Sequence, residues 1–334
     1  MIYISQDRLR ENMNRAGNDH TPFVWGIDYS GTNAFFSDNP LYDNSILWEI
    51  NGIGNIGGLP VPDRKPELTV TAVTSYDKYS LMFDTVKDGL MRGDSFLANL
   101  TAPTRVKCDG SLRDILLCST APFRLLLDDT FVCFSPEPFV RIVNGRISAF
   151  PMKGTIDATL PDALGRLMDD YKETCEHNTI VDLMRNDLNS VATDVRVTRF
   201  RYADRIDTSS GAILQTSSEI TALIPESHRH NLGDIILPLL PAGSITGAPK
   251  PATVALIDKA ETSPRGWYTG VFGYFDGSTM ETAVMIRCIQ RHADGSLYFH
   301  SGGGITVNSD CREEYDELLA KVYLTSPSTT PPCL

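Results

Sequence analysis

The middle of the chain contains short apolar segments that are separated by tight turns. Residues 123–127 (FRLLL) and 131–135 (FVCFS) flank an Asp-Asp pair, and residues 141–150 (RIVNGRISAF) contain an Asn-Gly pair. Both pairs are typical of β-hairpins, because Asn, Asp and Gly adopt the backbone angles that tight turns require. Further strand candidates lie at 95–103, 194–202, 270–275, 283–290 and 297–301. Hairpins build antiparallel sheets, and this constrains the fold more than any other feature of the sequence.

Helical periodicity is confined to separate blocks of the chain. The spacing of apolar residues predicts a helix over 76–92, a long helix from about 161 to 187 and a last helix over about 311–324. Because the strands form hairpins and the helices do not alternate with them, the pattern predicts an α+β fold rather than a doubly wound one.

The domain organisation is read from the same pattern. We expect one body over residues 66–324, since no linker interrupts it, with residues 1–65 as a short strand-rich extension of that body. Residues 325–334 (TSPSTTPPCL) are rich in Ser, Thr and Pro and predict a disordered tail.

Composition excludes several functional classes. The chain of 334 residues carries 30 Lys and Arg against 42 Asp and Glu, a net charge of −12, which disfavours binding to nucleic acid. No apolar run reaches the roughly 20 residues of a membrane helix, and the N-terminus lacks the apolar core of a secretion signal. The seven cysteines form no CxxC pair, so a reducing cytoplasm is the expected location, without disulfides or zinc.

Two helical segments each carry a pair of carboxylates three residues apart. The pairs are Glu173 with Glu176 and Glu314 with Glu317. This spacing places both members on one helix face, where they could jointly hold a hard cation such as Mg²⁺. Taken alone, either pair is more often a solvated helix surface than a metal site.

Two glycine-rich segments and one arginine are candidates for binding an anion. Residues 243–250 (GSITGAPK) lack the spacing of a phosphate loop, and Gly302, Gly303 and Gly304 could form a nest of backbone N–H groups or merely a tight turn. Arg287 lies within an apolar strand candidate, where its guanidinium could hold a ligand carboxylate or, equally, form a buried structural ion pair.

Lys153 and Glu137 each have a plain and a chemical interpretation. Lys153 follows a predicted strand and could be a solvated turn residue, or a nucleophile if its amine were neutral. Glu137 ends an apolar segment and could be a surface residue, or a proton donor if burial raised its pKa. Periodicity alone favours the plain interpretation for both.

The order of several motifs nevertheless resembles one family. The motifs are SPE (135–137), KGT (153–155), KETCEH with IVDLMRNDL (172–188), PAGSITGAPK (241–250), the arginine of MIRC (285–288), SGGGI (301–305) and EEYDELLAKV (313–322). Across residues 66–324 the chain is similar to the chorismate-utilising enzymes, and within them to the aminodeoxychorismate synthase component I branch. The resemblance implies a fold of two packed antiparallel sheets flanked by helices, and a chorismate-binding catalytic domain over these residues.

The resemblance also implies a reaction. Members of the branch bind Mg²⁺ and displace the ring hydroxyl of chorismate in two steps, through a covalent bond to a lysine at the position of Lys153. Anthranilate synthases typically carry Ala at this position. The general acid of the branch matches Glu137, sixteen positions before the lysine.

Binding residues carry over in the same way. The resemblance assigns the metal environment to Glu173, Glu176, Glu314 and Glu317, with Glu176 and Glu317 in direct contact. It assigns the enolpyruvyl carboxylate to Arg287, Tyr268, Lys321 and the backbone of Gly302, Gly303 and Gly304. Thr246 and Ala248 are expected to line the ring site.

Two departures from the family pattern bear on the product. Gln215 stands where many relatives have a His linked to aromatisation or pyruvate loss, and Leu97 stands where water-adding relatives have a Lys. The first departure disfavours anthranilate and salicylate and favours a product that retains its enolpyruvyl group. The second disfavours isochorismate, because the base that activates water is missing.

The expected source of nitrogen is a second protein. No cysteine lies in a G-x-C-x-G turn, so ammonia must come from solution or from a separate glutaminase subunit. We therefore expect amination of chorismate to 4-amino-4-deoxychorismate, for 4-aminobenzoate and folate synthesis. Anthranilate synthase component I and a catalytically silent chorismate-binding relative remain the alternatives.

Overall fold

Two antiparallel sheets form the centre of the molecule, which is described by a computed structural model over residues 3–208 and 211–324. Within these residues the chain forms strands and helices in the following order. The strands are β1 Phe23–Ile27, β2 Ala34–Ser37, β3 Ile46–Ile50, β4 Ile53–Gly54, β5 Leu68–Ala72, β6 Leu97–Cys108, β7 Phe123–Leu127, β8 Phe131–Ser135, β9 Pro138–Val143, β10 Arg146–Ala149, β11 Met152–Asp157, β12 Thr193–Thr208, β13 Gly211–Leu223, β14 Gly247–Ala248, β15 Val271–Phe275, β16 Thr279–Val284, β17 Cys288–Arg291 and β18 Leu297–Ile305. The helices are α1 Gln6–Asn18, α2 Tyr76–Arg92, α3 Leu112–Cys118, α4 Ala163–Asp169, α5 Tyr171–Asn189, α6 Leu232–Ile236, α7 Lys250–Ala260 and α8 Cys311–Ala320.

Each sheet has nine strands. The first follows the order β11-β13-β10-β9-β16-β15-β1-β2, with β12 beside β13. The second follows the order β14-β6-β18-β17-β8-β7-β3-β4, with β5 beside β6. The N-terminal strands divide between the sheets, since β1 and β2 join the first whereas β3 and β4 join the second.

The core lies between the sheets and beneath the helices on their outer faces. Val24 and Phe272 of the first sheet meet Trp48 and Phe131 of the second in one buried cluster. On the opposite face of the first sheet, α1, α5 and α6 cover a second cluster, while α3 and the group of α2, α7 and α8 cover the second sheet. The architecture confirms the α+β fold class of two packed antiparallel sheets flanked by helices.

The hairpins and the helix over 76–92 are confirmed. In the turn between β9 and β10, Asn144 and Gly145 have φ values of 52° and 71°, the left-handed conformation of a tight hairpin turn. Helix α2 has the predicted bounds because Ser75 caps its first turn and Gly93 ends it in the left-handed conformation at φ 82°.

Other boundaries were wrong, each for a local reason. The long helix predicted over 161–187 is broken at Asp170, whose side chain accepts a hydrogen bond from the backbone N–H of Glu173 and so begins α5 anew. The first 65 residues also contain a helix, α1, whose Leu9, Met13 and Ala16 are buried at helical spacing. The last helix ends at Ala320 rather than near residue 324.

Three further expectations concern features outside the fold itself. All six cysteines among the described residues are free. No helix in the described part of the chain is long and apolar enough to cross a membrane. The predicted tail over 325–334 lies outside the described residues, and the division at residue 65 stays a prediction.

Candidate active site

A cavity of about 600 Å³ opens beside the ends of both sheets. Segments from β6, β11, β13, β18 and α5 contribute to its wall, together with the connections before β9, β15 and β17. Of the fourteen residues assigned a role from the sequence, nine line it: Glu137, Lys153, Glu176, Tyr268, Arg287, Gly302, Gly303, Gly304 and Lys321. Residues that are far apart in sequence therefore meet on the wall of one cavity.

Lys153 projects from an irregular part of β11. The pairing of β11 with β13 shifts register between Met152 and Thr155, and Gly154 has φ 86°, a backbone angle that favours glycine. The Lys153 carbonyl accepts a hydrogen bond from the Thr216 hydroxyl, which holds the backbone in place.

The Lys153 amine is paired with a carboxylate. Its Nζ lies 2.8 Å from Glu176 Oε2. Burial lowers the pKa of Lys153, but the charges of Glu176, Glu173 and Glu317 raise it by more, so the net pKa lies above that of a free lysine. The protein without ligands therefore holds Lys153 as an ammonium ion.

Glu137 has the properties of a proton donor. It follows β8, and its backbone N–H and C=O are bonded to the Ser135 hydroxyl and the Val284 N–H. Burial raises its pKa above the usual value, and the hydrogen bond from Ser244 at 2.8 Å opposes this shift without cancelling it. A raised pKa keeps a larger share of the carboxyl protonated near neutral pH.

Arg287 lies between strands rather than within one, which corrects the sequence assignment. Residues 285–287 separate β16 from β17, and Arg287 has φ 53°. Its guanidinium carbon is 5.2 Å from the centre of the Tyr323 ring, and its Nε is buried with no hydrogen-bond partner among the described residues. A buried donor without a partner is costly, so this geometry favours a ligand carboxylate over a structural ion pair.

Gly302, Gly303 and Gly304 are extended, so the nest or turn expected from sequence was wrong. They pair with β6 near the end of β18, beyond His300, the residue opposite which β17 begins. In an extended strand successive N–H groups point to opposite sides and do not converge on one anion. The absence of a side chain at Gly303 instead lets the strand lie close to α8, since a Cβ there would lie 3.2 Å from Glu314 Oε2.

Lys321 and Tyr268 complete this side of the cavity. Lys321 Nζ donates to the Gly302 carbonyl at 2.7 Å and lies 2.6 Å from Glu317 Oε1. Tyr268 is 4% exposed, stacks near His300 with ring centres 5.4 Å apart, and has a pKa raised by burial. Its neutral hydroxyl remains available as a hydrogen-bond donor.

The four glutamates of α5 and α8 have donor chemistry that fits a hard cation. Glu173 Oε2 is buried and has no partner among the described residues, and burial raises the pKa of both Glu173 and Glu314. Burial also raises the pKa of Glu317, but Lys321, together with Lys153 and Lys172, more than offsets this effect and the net pKa lies below the usual value. Carboxylate oxygens are the ligands that Mg²⁺ prefers.

These carboxylates are nevertheless not gathered around one point. In residues 3–208 and 211–324, no three Asp, Glu, His or Cys side chains are grouped closely enough to hold a metal ion. The two glutamates expected in direct contact, Glu176 and Glu317, are instead paired with Lys153 and Lys321. The donor set fits Mg²⁺. For the metal to bind, Lys153 would have to release Glu176 and Lys321 would have to release Glu317.

Thr246 and Ala248 do not line the cavity, contrary to expectation. Thr246 is fully buried, and Ala248 belongs to the two-residue strand β14 opposite Leu97. The same motif supplies Ser244, which does line the cavity and bonds Glu137. Sequence reasoning missed Ser244 because the motif places several small polar residues together and only the backbone turn decides which one faces inward.

Both positions that depart from the family pattern face the cavity. Leu97 and Gln215 are among its lining residues, together with Asn99 and Lys172, which sequence reasoning did not single out. The differences in sequence are therefore differences in the site itself.

Comparison with known proteins identifies the family. The model of the chorismate binding enzyme family matches residues 49–326. The chain is 47% identical over 327 residues to a protein of Haemophilus influenzae named an uncharacterized PabA-like protein, covering 97% of this chain and 98% of that one.

Two more distant relatives have named activities. The chain is 33% identical to anthranilate synthase component 1 1 of Haloarcula marismortui, covering 78% of this chain and 55% of the relative. It is 32% identical to aminodeoxychorismate synthase component 1 of Salmonella typhimurium, covering 73% of this chain and 56% of the relative. The match thus spans about half the length of these two proteins.

Solved structures show the same fold. MenF, the menaquinone-specific isochorismate synthase of Escherichia coli, superimposes with a TM-score of 0.74 at 16% identity, covering 96% of this chain and 82% of that one. Anthranilate synthase component I of Streptococcus pneumoniae gives 0.61 at 24% identity, covering 79% and 60%. From its sequence and its fold, the chain belongs to the family of chorismate binding enzymes.

Proposed function

We propose that this chain aminates chorismate to 4-amino-4-deoxychorismate, with Mg²⁺ bound and with ammonia supplied by a separate glutaminase subunit. The observation that carries the proposal is the presence of Lys153, Glu137 and Arg287 on the wall of one cavity. They offer an amine, an acid of raised pKa and a guanidinium whose Nε has no hydrogen-bond partner among the described residues, which are the three groups that the two-step displacement needs. The product would serve 4-aminobenzoate and folate synthesis.

Binding would use the two carboxylates of chorismate. Arg287, Lys321 and Tyr268 would hold the enolpyruvyl carboxylate, because they supply two cations and a neutral hydroxyl on one side of the cavity. Glu173, Glu176, Glu314 and Glu317 would hold Mg²⁺ near the ring carboxylate. When bound, Mg²⁺ neutralises that carboxylate and draws electron density towards it while the ring double bonds shift.

The first step forms a bond to Lys153. Its ammonium, which lies 2.8 Å from Glu176 in the protein without ligands, must first lose a proton to solvent, and this loss is easier once Glu176 no longer faces the amine. The amine then adds at ring carbon 2, the double bond shifts, and the bond from carbon 4 to its hydroxyl breaks. Hydroxide is a poor leaving group, so Glu137 donates the proton that releases it as water.

The second step releases the product. Ammonia adds at carbon 4, the double bond shifts back, and the bond between Lys153 and carbon 2 breaks, which returns the lysine amine. The carboxylate of Glu137 takes up a proton from the added nitrogen. The balance is chorismate plus ammonia to aminodeoxychorismate plus water, and the covalent intermediate directs the nitrogen to carbon 4.

Anthranilate formation is the alternative, since a relative of that activity is 33% identical. Two cavity residues disfavour it. Lys153 replaces the Ala that anthranilate synthases typically carry, and the amide of Gln215 cannot act as a base at a position where those enzymes carry His. A silent chorismate-binding relative is disfavoured because the candidate acid, amine, arginine and four glutamates are all present.

Product identification tests the proposal. The purified chain is incubated with chorismate, Mg²⁺ and ammonium at mildly alkaline pH, and the mixture is separated on a column with mass detection. We expect a species in which amine replaces hydroxyl and the enolpyruvyl group is retained. Anthranilate or isochorismate would overturn the assignment. If chorismate is unchanged even after a glutaminase subunit is added, the chain is a silent relative.

A further inference from the structure

We infer that Ser244 is a positioning residue for the proton of Glu137. Its hydroxyl donates to Glu137 Oε1 at 2.8 Å, and both residues line the cavity. This is the single side-chain hydrogen bond to the Glu137 carboxyl within the described residues. The inference rests on the proposed function, in which Glu137 is the general acid.

The backbone around Ser244 gives the hydroxyl little freedom. Ser244 lies in a short 3₁₀ turn, Gly243–Ile245, that packs against α5. A Cβ on Gly243 would collide with Leu183, so the turn approaches the helix as closely as a glycine permits. On the other side, Arg265 Nη1 donates to the Ile245 carbonyl at 3.0 Å. The turn is therefore held from both sides.

The backbone of Glu137 is equally constrained. Its N–H donates to the Ser135 hydroxyl at 3.1 Å, and its carbonyl accepts from Val284 N–H at 3.1 Å. Because neither backbone is free to drift, the contact between Ser244 and Glu137 is a fixed feature of the site. It joins the GSITGAPK motif to the SPE motif through two residues that are 107 positions apart in the sequence.

This contact distinguishes the two carboxyl oxygens. An oxygen that accepts a hydrogen bond from Ser244 is the poorer place for a proton, so the acidic proton resides on Oε2. After the proton has been given to the leaving hydroxyl, the same hydrogen bond stabilises the negative charge on Oε1. Hydrogen bonds to charged groups are stronger than those to neutral groups, so Ser244 stabilises the products of proton transfer more than the reactants.

Other charged groups face Glu137 from three elements. Arg287 lies between β16 and β17, Lys321 follows α8, and Lys153 is on β11, and each favours the carboxylate form. None is the source of the hydrogen bond to Oε1. Removing the Ser244 hydroxyl changes one contact and leaves these charges in place, which makes the contribution of Ser244 separable.

The test compares Ser244→Ala with Ser244→Thr. We expect the alanine variant to lose about tenfold to hundredfold in kcat. The high-pH limb of its kcat/KM profile moves upward by about one pH unit, because the carboxylate has lost a donor. The threonine variant keeps the hydroxyl and restores both values towards wild type. An unmoved limb in Ser244→Ala, or a threonine variant as impaired as the alanine variant, would overturn the inference.

A second readout does not require turnover. The infrared band of the protonated Glu137 carboxyl is identified by its absence in Glu137→Gln and is then titrated in wild type and in Ser244→Ala. A higher midpoint in Ser244→Ala supports the inference even if the chain proves not to aminate chorismate, and equal midpoints contradict it. The proposed function is tested by a different experiment, the identification of the reaction product, so the two can fail independently.

Discussion

Lys153 Nζ lies 2.8 Å from Glu176 Oε2, so the candidate nucleophile and a candidate metal ligand are paired with each other. The two residues come from β11 and α5, and the pair connects the first sheet to the helix that covers it. A second pair, between Lys321 and Glu317 at 2.6 Å, is local to the end of α8, and Lys321 also donates to the Gly302 carbonyl of β18 at 2.7 Å. Each lysine offsets the repulsion between its partner and the neighbouring glutamate on the same helix, Glu173 on α5 and Glu314 on α8.

Lys153→Ala is predicted to abolish most of the turnover while retaining chorismate binding. Without the amine no covalent intermediate forms, and we expect kcat to fall by about three orders of magnitude or more. Steady-state kinetics and a direct binding titration measure the two effects. Lys107→Ala, an exposed lysine on β6, makes the same change of charge and is the control. Turnover of Lys153→Ala at the wild-type rate would show that the lysine is not the nucleophile.

The high-pH limb of the kcat/KM profile is predicted to follow the deprotonation of Glu137. Its protonated form is the active one, and burial raises its pKa, so kcat/KM should fall as pH rises through that raised value. Glu137→Gln should lower kcat by about 10² to 10⁴ and remove the limb. Glu281 of β16 also has a pKa raised by burial but does not line the cavity, so Glu281→Gln should keep the limb. A limb that persists in Glu137→Gln would belong to another group.

Mg²⁺ is predicted to stabilise the fold as well as to support turnover. A ligand at 100 times its Kd stabilises a protein by about 2.7 kcal/mol, so Tm should rise when Mg²⁺ is added and fall when it is chelated. The rise should be smaller in Glu314→Gln, which loses a buried carboxylate. The matched control is Glu313→Gln, an exposed neighbour on α8, which should respond like wild type. The proposed site is wrong if Mg²⁺ leaves the wild-type Tm unchanged.

Arg265 is predicted to be a structural centre of the site. It is paired with Glu261 at 2.7 Å, with side-chain exposures of 2% and 7%, and also donates to the Asn99 carbonyl at 2.6 Å. Arg265→Met leaves Glu261 buried and unpaired, which typically costs about 3 to 5 kcal/mol of unfolding free energy. The measurement is urea unfolding.

The control for Arg265 is an ion pair of the same spacing on the surface. Arg312 and Asp316 lie 3.3 Å apart with side chains 64% and 57% exposed. Arg312→Met should cost less than about 1 kcal/mol, because solvent screens an exposed pair. Equal losses for the two arginines would contradict the assigned role of Arg265.

Apolar spacing, capping residues and turn residues predicted helices and hairpins well where the backbone preference of each residue decided the structure. The bounds of α2 follow from its apolar spacing and from Ser75 and Gly93, and the hairpin at Asn144 follows from its turn residues. Local signals failed where packing against distant segments decided it. The glycines at 302–304 read as a turn in isolation, yet they extend because β6 offers a complete set of hydrogen bonds.

The sequence predicted which residues line the cavity better than it predicted how their side chains are oriented. The family resemblance assigned roles to nine cavity-lining residues across 185 positions, from Glu137 to Lys321, and all but Tyr268 lie in the ordered motifs. The same motifs named Thr246 and missed Ser244, because the two hydroxyls are two residues apart and only the turn at 243–245 directs one of them inward. Arg287 was placed in a strand because its neighbours are apolar, whereas the break between β16 and β17 gives it access to the cavity.

By itself, the sequence determined the α+β class, the membership of the family and most of the residues on the cavity wall, because periodicity, turn residues and motif order are local properties of the chain. Only the tertiary structure decided which side chains are paired. The contacts of Lys153 with Glu176, Ser244 with Glu137 and Lys321 with the Gly302 carbonyl depend on how helices and loops pack against the two sheets. These contacts set the charge state of each candidate group through burial and neighbouring charge, which no linear pattern specifies.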